Sequence, residues 1–550
     1  MTFLLLILIS LLQAFDIPYS FNFSASSNYR NSSSDGLSSN TIIDFEKYSD
    51  ESIFMGTSNG LNIGFYDSDL TYHFENFLSG SNMVEGSNSA LIIKNDIIAT
   101  AGAKTSETSV GNQPEGTGIS YSLDGGDTWY YMPQPKDDLY QNIDQWGCQW
   151  SEDNQLYSNE DECDDNCFDC LGDSKDCAMY NYISWGEEDE VRNFSVTTEV
   201  QNVTYDLAIH GNYIYAASWA GSLRRFDYSI DEPVWEVVPL PMDNQLELNC
   251  DSLTPSYQVN PIGNATESCG YEFDNHKVFS VSSIEDTLWV GTAAGINKGV
   301  FTDNNCIDWK RMKADDYGFY DDWIIGFEHQ VFEDGSIRIW VITWDRRYDG
   351  SHEIYGGPPS YTDDGGKTWN IVEDLLDRRI ITYNISPSLN TVYVSSNEGL
   401  FASDNSILWE EIMQAQIGQE AVLDAEFIET LNHLWVSSED NIDILNLDLD
   451  ESYIASSIGN VDLDFYAYPN PIIGNQLSKF VYNGEEENLN GVITIYDFSL
   501  DRVIEIPSSG WTTWDGKNEY GDRVANGVYI CQYIHSNNDV HSFNIMVINK

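Results

Sequence analysis

One short pattern returns seven times along this chain and constrains the fold more than any other feature. It is an apolar β-run carrying an aromatic, then small residues, then a Gly turn and a second apolar strand. Trp289-Val290-Gly291-Thr292-Ala293-Ala294-Gly295-Ile296 is the clearest copy. Phe54 to Leu61, Tyr215 to Leu223 and Tyr393 to Leu400 follow it closely. Ile98-Ala99-Thr100-Ala101, Trp340-Val341-Ile342-Thr343 and Trp435-Val436-Ser437-Ser438 are shorter forms. The copies start at 54, 98, 215, 289, 340, 393 and 435, so the successive gaps are 44, 117, 74, 51, 53 and 42 residues. Four of these gaps match the roughly 40–50 residues of a four-stranded propeller blade. The two long gaps require insertions or conceal an eighth blade. Each blade buries its faces only against its neighbours, and small Gly, Ala, Ser and Thr side chains let strands pack closely near the axis. The expected fold is therefore all-β: a seven-bladed β-propeller, or an eight-bladed one, over 15–460.

Composition agrees with strands. The 33 Tyr, 24 Phe and 16 Trp fit pleated, half-buried surfaces, and 40 Gly supply turns. The charge balance excludes some partners. Eighty-nine acids against 25 Lys plus Arg give a formal −64, a field that repels nucleic acid and anionic membranes. Such a surface suits high salt or divalent cations, which screen its self-repulsion.

The chain opens MTFLLLILISLLQAF, whose apolar run from Phe3 to Leu12 has the length of a signal-peptide core and is too short to span a bilayer. Residues 1–14 are the expected leader, with Ala14 at the cleavage point and no Lys or Arg in front of the apolar run. No later stretch has 18 consecutive apolar residues, so no transmembrane segment is expected.

Two segments share a further pattern. Ser122 to Trp129 and Thr362 to Trp369 both read S/T-x-D-x-G-x-T-W. Asp124 and Asp364 can accept hydrogen bonds from their own turns, Gly126 and Gly366 permit positive φ, and Trp129 and Trp369 can anchor the hairpin. The pattern resembles the Asp-box of BNR-type, sialidase-like propellers, where it lies on the blade periphery and carries structure rather than chemistry. The W-V-G-T-x-x-G-I copies are similar to the periplasmic sensor propellers of two-component regulators.

The stretch of about 135–195 shows no strand or helix period and is read as an irregular insertion. It holds Cys148, Cys163, Cys167, Cys170 and Cys177 among many Asp residues. An exported chain keeps disulfides, so these cysteines are expected to be mostly paired. Calcium is the alternative, held by Asp161, Asp164, Asp165, Asp169 and Asp173, since a hard cation wants several carboxylate oxygens. A Cys₄ zinc site is a third reading. Cys250 and Cys269 are expected to close a second surface loop. The total of nine Cys is odd, and Cys531, inside an apparent strand, is the expected free thiol.

The repeat stops near Asp450. From Phe465 come AYPNP (467–471), GVITIYDFSLDRV (491–503), WDGKNEYGDRVANGVYICQY (514–533) and a final SFNIMVINK. Short strands and Gly turns over this length fit a small sandwich. The order of motifs resembles the Ig-like C-terminal domain of many exported bacterial proteins, related to the flagellar-hook-capping Ig-like family and to type IX secretion sorting domains. That resemblance implies that 465–550 is an export address read by a secretion apparatus, and that the protein is bacterial and secreted or at the cell surface.

No catalytic residues are assigned. The His residues lack ligand spacing, and a G-x-S-x-G elbow and a P-loop are absent. Arg346, Arg347, Arg378 and Arg379 could serve a sialidase-like carboxylate site, but the Arg-Ile-Pro motif that opens that family's catalytic domain is missing. The expected function is a displayed binding or scaffold propeller for an extracellular protein or glycan. The alternative is an extracellular glycan-active hydrolase on the same fold. Convergence of Arg, Tyr and carboxylates at the mouth of the central channel would separate the two.

Overall fold

Each repeat copy is apolar on both faces of its strand. Leu288, Trp289, Val290, Gly291 and Thr292 are all buried, so this strand must be covered from two sides. The computed structural model shows how. It describes most of residues 37–549; residues 1–36, the longer interior stretches 138–145, 149–155, 251–257, 346–354, 413–420, 456–464 and 483–489, and several shorter ones lie outside it. The expected leader, Cys170 and Cys269 are therefore outside the described residues.

The chain divides into two compact units, Met1–Ser457 and Ile458–Lys550. The first is a seven-bladed β-propeller. Seven antiparallel meanders follow one another at 42–77, 87–132, 204–237, 278–312, 323–371, 382–412 and 422–455, here blades 1 to 7. Their innermost strands pack in chain order, and that of blade 7 packs against that of blade 1 to close the ring. Every repeat copy forms the second strand of its blade, from Ser52–Thr57 in blade 1 to His433–Ser438 in blade 7. Both long gaps are insertions, so no eighth blade exists among the described residues.

The small residues of the repeat sit where neighbouring blades touch. A Cβ on Gly291 would come within 2.6 Å of Ile324 Cγ2 and 2.7 Å of the Ile324 carbonyl oxygen, both on blade 5. A Cβ on Gly56 would meet Asn88 on blade 2. Outside this inner zone, large side chains fill the widening gaps between blades. Trp289, Trp309, Trp340, Trp344 and Trp435 are among the largest fully buried side chains.

The first insertion, between blades 2 and 3, has more regular structure than its sequence suggests. It contains a short helix, Glu160–Asp164, capped by Asn159 Oδ1, which accepts from Glu162 N at 2.9 Å. It ends in the hairpin Ala178–Trp185 and Glu188–Phe194. The second insertion, between blades 3 and 4, adds Glu247–Leu248 to the outer edge of blade 4. It also pairs Gln258–Val259 in parallel with Arg192 and Asn193 of the first insertion. Trp185 anchors this assembly, buried in one core with Tyr215 and Leu223 of blade 3 and Trp309 of blade 4.

Three disulfides are described. Cys148 bonds Cys167 and Cys163 bonds Cys177, stapling the first insertion to itself. Cys250 bonds Cys306, not Cys269, and ties the second insertion to the start of the outermost meander strand of blade 4. That strand, Ile307–Met312, already pairs with Glu247–Leu248, which brings Cys250 beside it.

The second unit is a small β-sandwich. One sheet joins Phe465–Tyr468, Ser478–Tyr482 and Thr512–Trp514. The other has five strands in the order Ile472–Ile473, Val540–Ile548, Gly527–His535, Asn490–Tyr496 and Arg502–Ser509. Phe480 and Trp514 from the first sheet share a core with Ile493, Ile495, Tyr533 and Val547 from the second. Cys531 lies in that core as a free thiol, its pKa pushed up by burial. No helix among the described residues is long and apolar enough to cross a membrane.

Three outcomes are expected. Gly291→Ala overpacks the contact between blades 4 and 5 and destabilises the propeller by about 1–3 kcal/mol in a chemical denaturation series. Gly527→Ala, whose Cβ meets no atom within 4 Å, leaves the sandwich transition nearly unmoved. Alkylation of the native, unreduced protein followed by mass spectrometry leaves Cys148, Cys163, Cys167, Cys177, Cys250 and Cys306 unlabelled, and Cys531 reacts only after unfolding.

Candidate functional site

A β-bulge leaves one residue without a ladder partner and re-aims the side chains beside it. All seven innermost strands carry such a shift at the same place: between Ile42 and Asp44, Asn88 and Ala90, Thr204 and Asp206, Val278 and Ser280, Ile324 and Gly326, Thr382 and Asn384, and Val422 and Asp424. The residue after the shift reaches the next blade wherever it has a polar side chain. Asp206 Oδ2 accepts from Val281 N at 2.8 Å, and Asp424 Oδ2 accepts from Phe45 N at 2.6 Å across the closure of the ring. Asp44 accepts from the backbone of Leu91. Ser280 Oγ donates to the Ile324 carbonyl at 3.1 Å, and Asn384 Nδ2 donates to Asp424 Oδ1. These contacts form a recurring clasp from blade to blade.

Two residues further on, three of these strands place a second acid: Glu46, Glu328 and Glu426. The carboxylates of Asp44, Glu46, Asp206, Glu328, Asp424 and Glu426 feel one another across the ring. Glu328 of blade 5 raises Asp44 and Glu46 of blade 1. Burial is the first cause in every case and neighbouring negative charge adds to it for most. Asp206 is pushed up to about 7, Asp424 to about 7 and Glu328 to about 8. Asp44, Glu46 and Glu426 are held well above the usual carboxylate range. Asp424 is 1% exposed, while the other five are half-buried and line the axis. The site is thus an axial cluster of carboxyl groups that retains protons near neutral pH.

Arginine does not enter this cluster among the described side chains. Arg224 is buried in a two-pronged pair with Asp137, at 2.8 and 3.0 Å, which pins the start of the first insertion. Arg225 lies between the rings of Trp185 and Tyr213, with Glu236 Oε2 at 2.9 Å from Nε. Arg311 donates to the carbonyls of Met242 and Asp243, and Arg338 pairs with Asp363. Arg378 lies over the ring of Phe401, while Arg346, Arg347 and Arg379 lie outside the described residues.

The two S/T-x-D-x-G-x-T-W turns lie far out on the blades, between the third and outermost strands. In blade 5, Asp364 Oδ1 accepts from Lys367 N at 2.9 Å and from Thr368 N at 3.0 Å, and these donors hold its pKa down at about 2. In blade 2, Asp124 Oδ1 accepts from Thr128 N at 2.8 Å. Gly126 and Gly366 adopt φ of 100° and 86°. The Trp that ends each turn crosses to the preceding blade. Trp369 packs edge-on against Trp289 of blade 4, and Trp129 against Phe77 of blade 1.

Sequence reasoning missed a third member. Ser403 to Trp409 of blade 6 makes the same turn with Asn405 in place of the acid, its Oδ1 accepting from Ile407 N and Leu408 N at 2.9 Å. Trp409 then packs edge-on against Trp340 of blade 5. The Ser-x-Asn spacing and the Trp were the available signal. A missing Gly pair and a turn one residue shorter hid it.

Of the carboxylates proposed for calcium, Asp161, Asp164 and Asp165 belong to the short helix and its end, and Asp164 Oδ1 accepts from Cys177 N at 2.7 Å. Asp169 and Asp173 lie outside the described residues. Among the described residues no group of three or more His, Cys, Asp or Glu side chains is placed to hold a metal ion.

No protein-family model matches the chain, and no curated protein matches it. Solved structures are similar at low identity. PorZ, a surface component of the type IX secretion system of Porphyromonas gingivalis, is 14% identical with a TM-score of 0.31, covering 93% of this chain and 71% of its own. The extracellular domain of a putative hybrid two-component system from B. thetaiotaomicron is 10% identical with a TM-score of 0.32, covering 94% and 81%. YCF48 from Cyanidioschyzon merolae is 11% identical with a TM-score of 0.35, covering 72% and 93%.

Trp369→Ala, which empties the contact between blades 4 and 5, is expected to destabilise the propeller by about 3–5 kcal/mol in denaturant titration. Asp364→Ala, which removes only an exposed turn's hydrogen bonds, costs clearly less.

Proposed function

We propose that this protein is an exported or cell-surface binding propeller whose C-terminal sandwich serves as its export address. The observation that carries the binding assignment is the composition of the axis. Its convergent groups are carboxyls, whereas the described arginine side chains of the propeller are committed elsewhere: to Asp137, to Glu236 and two rings, to backbone carbonyls, to Asp363 and to the ring of Phe401. A sialidase-like site needs arginines converging on a substrate carboxylate, and a chain with a formal net charge of −64 repels such a substrate. The ligand favoured by this field is neutral or cationic, a glycan or a basic protein surface.

Three disulfides support an oxidising compartment, since such bonds persist outside the reducing cytosol. The apolar run at the N-terminus supports export. The sorting role of 465–550 rests on its motif order, and the Asp-box identity of the turns at 122–129 and 362–369 rests on their sequence pattern together with their hydrogen bonds. Calcium binding in the first insertion belongs to the same proposal only as screening of its many acids.

One observation favours a second reading, a glycan-active hydrolase: the raised pKa values of Glu328 and Asp206 are those a general acid needs. Glu328→Gln separates the two. A binding propeller keeps its ligand on a glycan array or in a peptide pulldown, whereas a hydrolase loses turnover on the glycan it binds.

Deleting 465–550 is expected to leave a folded propeller retained in the cell envelope, measured by fractionation and by the thermal transition of the retained chain. Normal secretion of the truncated protein would reduce the sandwich to an accessory module.

A further inference from the structure

Each blade is built from four strands contiguous in the chain, blade 1 from 42–77 and blade 7 from 422–455. Among the described residues neither end of the propeller lends a strand to the other's blade, so the contact between blades 7 and 1 is the seam of the ring that no described segment crosses. Among the described residues, every hydrogen bond across it has a side chain on at least one side. Asp424 accepts from Phe45 N at 2.6 Å, Thr430 Oγ1 donates to the Asp50 carbonyl at 3.1 Å, and Tyr72 Oη lies 2.8 Å from His433 Nδ1. Trp435 packs against Phe45, Tyr72 and Phe74.

Four of the six axial carboxyls stand on the two strands that meet at this seam: Asp44 and Glu46 on Ile42–Ser49, Asp424 and Glu426 on Val422–Ile428. We propose that closure of the ring is proton-dependent: the seam between blades 7 and 1 holds while these four carboxyls retain protons, and it loosens when they ionise together.

The groups facing them leave little compensation. Asp206 and Glu328 face them across the axis, and Glu429 lies beyond Glu426. The cation at the seam is Lys47, already engaged with Glu429 at 2.9 Å and Asp50 at 3.4 Å. Blade 6 contributes the neutral Asn384, and blade 2 contributes the Leu91 amide. Lys94, at the far end of the blade 2 strand, donates to the Ile209 carbonyl. His433 opens the second strand of blade 7 and bonds Tyr72. The sign follows from linkage. These carboxyls bind protons more tightly in the folded ring than in the unfolded chain, so their contribution is fully present below the ordinary carboxylate range and is lost as pH rises through the folded values, about 7 for Asp424.

The test is amide hydrogen exchange of the full chain at about pH 5.5 and about pH 8, expressed as protection relative to the intrinsic rate. Protection of 42–49 and 422–428 is expected to fall at least about tenfold between the two, the equivalent of one pKa unit at one carboxyl. Protection of 204–210 and 278–284, inside the continuous part of the ring, falls less. In the double variant Glu46→Gln, Glu426→Gln the seam's loss shrinks or disappears. Equal losses at the seam and in blades 3 and 4, no loss at either, or a seam loss undiminished in the double variant, which retains His433, overturns the proposal. Should the double variant not fold, Glu426→Gln alone decides: its seam ratio must lie below that of the wild type.

Discussion

Seven sheets can converge on one axis only if the second strand of each comes closer to the innermost strand of the next than ordinary side chains allow. The packing at Gly291 and Gly56 is this constraint in its sharpest form, since neither position has room for one more carbon atom. Close approach fixes where the bulges fall. With strands this near, a polar residue after a bulge finds its partner on the next blade, as Asp206, Asp424, Asp44, Ser280 and Asn384 all do. Acids in the interior are costly when charged, and they are retained here because each aspartate satisfies an amide that would otherwise lack an acceptor.

Moving outward, the gaps between blades widen and large rings take over. The indole nitrogens of Trp129, Trp289, Trp340, Trp369, Trp409 and Trp435 have no hydrogen-bond partner among the described residues, so packing rather than hydrogen bonding holds them. The edge-to-face contacts of Trp369 with Trp289 and of Trp409 with Trp340 link the outer turn of one blade to the second strand of the blade before it. The propeller thus has two unlike joints between neighbours, polar near the axis and aromatic near the rim.

The repeat was legible because both joints act on one strand: the aromatic serves the rim, the small residue after it serves the axis, and the Gly turn follows. Blade number and blade spacing were therefore readable from residues 54 to 438. The axial acids were not, since Asp44 and Glu46 are two among 89 carboxylates, and nothing local marks them as convergent. In retrospect the parallel texts Asp44-Phe45-Glu46 and Asp424-Ala425-Glu426, each set in an apolar strand, were the signal. The partner of Cys250 was illegible for another reason. Cysteine connectivity depends on which strands become neighbours, and Glu247–Leu248 joins blade 4 through a two-residue pairing too short to show a period.

The parallel pairing of Arg192 and Asn193 with Gln258 and Val259 joins two insertions that flank blade 3. It works as a strap over that blade, buckled at one end by the bond from Cys250 to Cys306. Repeat proteins diversify by gaining and losing whole units, and blades 5 to 7, with short connections, are free to be copied or dropped in that way. Blade 3 is not: a second copy of it would part Arg192 and Asn193 from Gln258 and Val259, so the strap holds that stretch of the ring to a single blade.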